Sequence, residues 1–189
     1  MTETDLLKDC LLRLNRTGVA YMVTGSMASN FWGIPRSTHD LDFVIQLPPS
    51  AVAKVVAEFA GEFFLDEQAV RAAYKPPFQF NAIDLRSALK VDFWLLSGSA
   101  FEREMFKRRT QHQTLGVSAS LATPEDIILH KLYWDKLTPS ERQRTDAAGV
   151  FTVQRSHLDL DYMKHWANEL GVVATFELLL AGKLRPKST

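Results

Sequence analysis

Leu6, Leu7, Cys10, Leu11 and Leu14 recur at three- and four-residue intervals, the stripe of an amphipathic helix that closes near Gly18. Val19 to Thr24 is short, β-branched and aromatic and predicts a strand. Gly25-Ser26 then makes a tight turn into a small-residue helix over Met27 to Phe31. Leu41 to Leu47 is an apolar run stopped by Pro48-Pro49, which predicts a buried strand, and helical spacing resumes from Ser50 to Phe59. Between Phe78 and Leu96 two strand-like runs flank Arg86-Ser87, giving an antiparallel pair with Asp92 in its second strand. The pattern is α/β with a mixed sheet. Beyond Gly98 helices dominate, apart from a strand pair around Gln113 to Leu121 broken at Gly116. Capping boxes announce three helix starts, at Thr123-Pro-Glu-Asp126, Thr138-Pro-Ser-Glu141 and Ser156-His-Leu-Asp159. The expected organisation is a core over 1–122 and a helical part over 123–189, whose polar, basic tail from Lys183 to Thr189 frays.

Three features on this frame carry chemistry. Gly25-Ser26, between a strand and a helix, lets a ligand approach the backbone where helix amides favour an anion, although Ser26 could simply cap the helix. Asp40 and Asp42 lie two apart at a strand and share a face. Their repulsion is relieved by a hard cation such as Mg²⁺ between them, or by Asp40 capping a turn and Asp42 meeting solvent. Asp92 interrupts the apolar strand Lys90-Val-Asp-Phe-Trp-Leu-Leu96, and a buried acid needs a partner; Lys90, on the same face, is one.

Composition narrows the field. With 189 residues, 46% of them apolar, the chain can bury a real core. Its 22 basic and 22 acidic residues cancel to zero net charge, so no bulk field draws it to nucleic acid or an anionic membrane. The one cysteine, Cys10, permits no internal disulfide, and no apolar run is long enough for a membrane span, so a cytoplasmic location is expected. The five histidines show no zinc-binding spacing, and there is no Walker-type loop. Arg103, Lys107, Arg108 and Arg109 are offset by Glu102 and Glu104 and read as a solvated face. Phe63, Phe64 and Trp94 read as core.

The series Val23-Thr-Gly25-Ser26, Asp40-Leu-Asp42 and Asp92 resembles the signature of the polymerase-beta-like nucleotidyltransferase superfamily, and Gly33-Ile-Pro-Arg36-Ser-Thr38-His-Asp40-Leu-Asp42 is similar to its small bacterial members. The likeness covers roughly residues 19 to 96. In the C-terminal half, Thr123 to Leu132 and Arg142-Gln-Arg-Thr-Asp146 resemble the stand-alone branch that includes abortive-infection toxins, with Gln143 where that motif has its first Asp.

The resemblance implies a nucleotidyltransferase-type mixed sheet flanked by helices, and transfer of an NMP from an NTP to an acceptor hydroxyl with pyrophosphate release. Asp40, Asp42 and Asp92 become the catalytic metal ligands, holding two Mg²⁺ ions, with Mn²⁺ an alternative. Gly25, Ser26, Arg36, Thr38, Lys131, Arg142 and Asp146 become nucleotide-binding residues. Read without it, Lys131 pairs with Asp135 and Arg142 with Asp146, each one helical turn away. The acceptor is an RNA 3′ end such as that of tRNA, a protein side chain or a small molecule, and a toxin role implies an antitoxin partner. Two other readings are a catalytically inactive binding module or antitoxin-like partner, and a two-metal nuclease, which does not call for the Gly-Ser turn.

Overall fold

The structure is a computed structural model that describes residues 2–96 and 98–186. In chain order the elements are α1 (Glu3–Thr17), β1 (Ala20–Val23), α2 (Gly25–Trp32), β2 (Leu41–Gln46), a 3-10 turn (Pro49–Ala51), α3 (Val52–Phe59), β3 (Phe63–Phe64), α4 (Glu67–Ala72), β4 (Gln79–Asp84), β5 (Lys90–Leu95), α5 (Ala100–Arg108), β6 (Thr110–Thr114), β7 (Val117–Leu121), α6 (Pro124–Leu137), α7 (Glu141–Gln154), α8 (Leu160–Glu169) and α9 (Val173–Leu180). The fold is mixed α/β with a helical C-terminal part. It divides into two compact units, Met1–Thr24 with Thr38–Leu121 and Gly25–Ser37 with Ala122–Thr189.

The first unit is built on a seven-stranded sheet in the order β3-β4-β5-β2-β1-β7-β6. β2 runs parallel to β5 and antiparallel to β1, and β4 pairs antiparallel with β5. Alternation of side chains sets its two faces. One face buries Leu41, Phe43 and Ile45 beside Val91, Phe93 and Leu95. There Phe93 stacks between Phe43 and Phe80, with ring centroids 5.4 and 5.1 Å away, and meets Phe59 of α3 edge-on. The other face carries Asp42, Asp92 and Asn81. α1 ends at Gly18, whose positive φ of 70° suits glycine, and buries Cys10 as a free thiol.

The second unit is helical: α2 packs on α6 and α7, α6 on α8, and α8 on α9. Gly33 makes one of its closest joints. A Cβ there would lie 2.7 Å from the Val150 backbone nitrogen of α7, so only glycine fits without a shift.

Several expectations change in detail. Phe64 is 61% exposed, because period-two alternation buries Phe63 and turns its neighbour outward. Of the three capping boxes, only Thr123 caps as expected, accepting from the Asp126 amide. Thr138 is still tied to the end of α6 through Trp134 O, and Asp135 Oδ1 accepts the Ser140 amide at 2.8 Å, so α7 starts after Ser140. A turn from Gln154 to His157 occupies Ser156, and Asp159 caps α8 instead. The expected fraying of Lys183 to Thr189 lies partly outside the described residues.

Candidate functional site

The first unit gathers polar groups in one row across the sheet. Asp42 and Asp92 are register partners on β2 and β5, so their Cα atoms lie about 4.8 Å apart with side chains on the same face. Asn81 of β4 partners Asp92 on its other side. With its amide nitrogen turned to Asp92, Asn81 donates to Oδ1 at 2.7 Å. The Lys90 ammonium forms an ion pair with Oδ2 at 2.9 Å, so the same-face pairing expected from the sequence is present. At the other end of the row the Thr24 amide donates to Asp42 O at 3.0 Å, and the Thr24 hydroxyl is buried without a partner.

Asp40 stands one residue ahead of β2 and is exposed. Its amide donates to the hydroxyl of buried Thr38 at 3.2 Å. Asp40, Asp42, Asp92 and Thr24 carry side-chain oxygen, the donor that hard divalent cations take, and Thr24 Oγ1 is an oxygen with nothing to bond. Among the described residues no three His, Cys, Asp or Glu side chains are already gathered to hold a metal. The donor chemistry fits Mg²⁺, centred on the Asp42–Asp92 pair.

The second unit gathers Ser26, Arg36, Lys131 and Asp146. Arg36 grips Asp146 with two donors, Nε to Oδ1 at 2.7 Å and Nη2 to Oδ2 at 2.8 Å. Arg36 Nη2 also donates to Ser26 Oγ at 2.8 Å, and Lys131 Nζ reaches Asp146 Oδ2 at 3.0 Å. Burial pushes the Asp146 carboxyl up, but the Arg36 hydrogen bonds and the Lys131 charge outweigh it and hold it below the ordinary value. Two cations on one carboxylate leave this cluster one positive charge in excess, at the start of α2, whose first residue Gly25 has a φ of 61°.

The helical-turn pairing read from the sequence for Lys131 is replaced. Lys131 and Asp146 meet across two helices, while Asp135 accepts from Ser140 and stands 3.8 Å from Arg144. Arg142 lies exposed on the first turn of α7. Gln143, where the resemblance expects Asp, has its Oε1 buried without a partner. Beside Lys131, burial and the lysine charge push His130 down to about 4; it accepts the Trp134 indole N–H at Nε2, 2.9 Å away. Asn81 carried no signal in the sequence, because its role comes from strand register alone.

No family model matches the chain, and no curated protein matches it. Solved structures do share its fold. An antigenic nucleotidyltransferase-like protein from Paracoccidioides brasiliensis superposes with a TM-score of 0.58 over 98% of this chain and 94% of its own, at 14% identity. The antibiotic-resistance factor ANT(2'')-Ia superposes with a TM-score of 0.56 over 92% of this chain and 94% of its own, at 13% identity. The chain therefore has a nucleotidyltransferase fold. No helix among the described residues is long and apolar enough to cross a membrane.

Proposed function

We propose that the protein is a metal-dependent nucleotidyltransferase, moving an NMP from an NTP to an acceptor hydroxyl. The observation that carries this reading is the register pairing of Asp42 with Asp92, in one row with the unsatisfied Thr24 hydroxyl. Asp42 and Asp92, with Asp40, are the residues assigned to Mg²⁺. Divalent cations bound there supply charge neutralisation for the triphosphate and a more acidic acceptor hydroxyl. In the transfer the acceptor oxygen bonds to the α-phosphorus, the bond from phosphorus to the pyrophosphate oxygen breaks, and Asp92 takes the hydroxyl proton.

The phosphates are assigned to Gly25, Ser26, Arg36 and Lys131, where excess positive charge coincides with helix amides. Asp146 positions both cations, Thr38 supports the approach to Asp40, and Arg142 is assigned to the same nucleotide. The acceptor class, whether RNA 3′ end, protein side chain or small molecule, is read by the fate of label from an α-labelled NTP. A toxin role with an antitoxin partner follows if the labelled product is tRNA or an essential protein.

Thermal unfolding of wild type and Asp40→Asn with each NTP, with and without Mg²⁺, tests the site without an acceptor. A ligand at a hundred times its Kd adds about 2.7 kcal/mol. Stabilisation that needs Mg²⁺ and is lost in the variant is expected; no stabilisation by any NTP rejects the reading. A non-catalytic nucleotide-binding module draws support from Lys90 and Asp146, which satisfy their partners without a ligand. It predicts nucleotide binding with no pyrophosphate release.

A further inference from the structure

Asp42 and Asp92 face each other across neighbouring strands, and two like charges at that spacing repel. One group set against that repulsion is Lys90, whose ammonium lies 2.9 Å from Asp92 Oδ2. The two oxygens of Asp92 are held differently. Oδ1 receives the Asn81 amide, which register fixes on the adjacent strand. Oδ2 receives a side chain that is 54% exposed, while Asp92 itself is only 15% exposed. An ion pair with one partner that far into solvent gains little net free energy and exchanges readily. Asn81 therefore orients the carboxylate, and Oδ2 is the oxygen available for exchange.

A divalent cation at Asp92 Oδ2 would meet the Lys90 ammonium at the same atom, with like charge and overlapping volume, so the two exclude each other. We propose that Lys90 is the resident counter-ion of the acid row, a stand-in for the divalent cation that leaves Asp92 Oδ2 when the cation binds. The inference rests on the metal-dependent reading above and adds a competitor to it. One carboxylate charge of the row stays offset in the metal-free protein, and cation affinity is set by a contest rather than by the carboxylates alone. On β4 the strand neighbour of Lys90 is Ile83, an exposed apolar residue that offers the ammonium no second counter-charge on that side.

The test is Mn²⁺ binding to the full chain without nucleotide, read from the paramagnetic resonance signal of free Mn²⁺, for wild type, Lys90→Gln and Lys90→Arg. Lys90→Gln is expected to bind about three- to sixfold more tightly, the equivalent of losing one surface ion pair. Lys90→Arg, which keeps the charge, is expected within about twofold of wild type. In wild type, saturating Mn²⁺ should also raise the rate at which the Lys90 amine is acylated, followed by peptide mass spectrometry. Equal or weaker Mn²⁺ binding by Lys90→Gln overturns this inference and leaves the metal reading standing. Absence of Mn²⁺ binding in all three proteins overturns both.

Discussion

Asp92 and Asp146 each form an ion pair with a lysine, at 2.9 and 3.0 Å, yet they sit in opposite circumstances. The Asp146 and Lys131 side chains are almost wholly buried, and Arg36 clamps the same carboxylate with two further bonds. Asp92 is half-buried, with a like charge as strand partner and a lysine that solvent can reclaim. Distance alone does not separate these pairs; burial and the number of donors do. The first arrangement is a tie that holds helices together, the second a charge balance exposed to exchange with solvent.

The largest effect expected from breaking this contrast is at the tie. Asp146→Ala leaves Lys131 buried beside Arg36 with no counter-charge and should cost about 3–5 kcal/mol in urea unfolding. If it costs less than about 1 kcal/mol, like a surface pair, the two regions do not differ as described. Asp42→Asn should do the reverse. Pyrophosphate release should fall by on the order of a hundredfold or more, since ligand loss removes the cation's hold, while stability stays within about 0.5 kcal/mol because a repulsive pair is relieved.

Smaller effects sharpen the same contrast. Gly33→Ala pushes a methyl into the backbone at Val150 and should destabilise by about 1–3 kcal/mol, with faster amide exchange around Arg36, whose N–H is bonded to Asn30 Oδ1 at 3.0 Å. The lowered pKa of Asp146 gives a pH signature with a definite sign. Its stabilisation is complete above the unfolded carboxyl value of about 4 and is lost as pH falls through the lower folded value. Asp146→Asn should therefore flatten the acid limb of a stability–pH curve, measured from pH 6 downward; an unchanged limb would assign acid sensitivity elsewhere.

The strands were legible because burial on a sheet has period two. Leu41, Phe43 and Ile45 announce the covered face, and the same alternation places Asp42 and Asp92 on the other. The Lys90–Asp92 pair was legible for that reason, as a two-residue spacing on one strand. Asn81 was not, since nothing local fixes which residue of β4 faces Asp92. Arg36 and Asp146 lie 110 residues apart, and local spacing favoured nearer partners one helical turn away. β3 and α4, of two and six residues, are too short for periodicity to rise above composition.

The placement of α2 with the C-terminal helices has a consequence for how the chain is made. Trp32 O accepts a hydrogen bond from Gln154, 122 residues later. At a synthesis rate of about 5–20 residues per second, α2 waits roughly 6–25 s on the ribosome before α7 has emerged to cover it. All seven sheet strands have been translated by the end of that interval, whereas Ser26 and Arg36 meet Asp146 only afterwards. The Arg36–Asp146 cluster thus closes only after the whole sheet has been made, and a chain stalled or truncated before α7 would display α2 with its packing face uncovered.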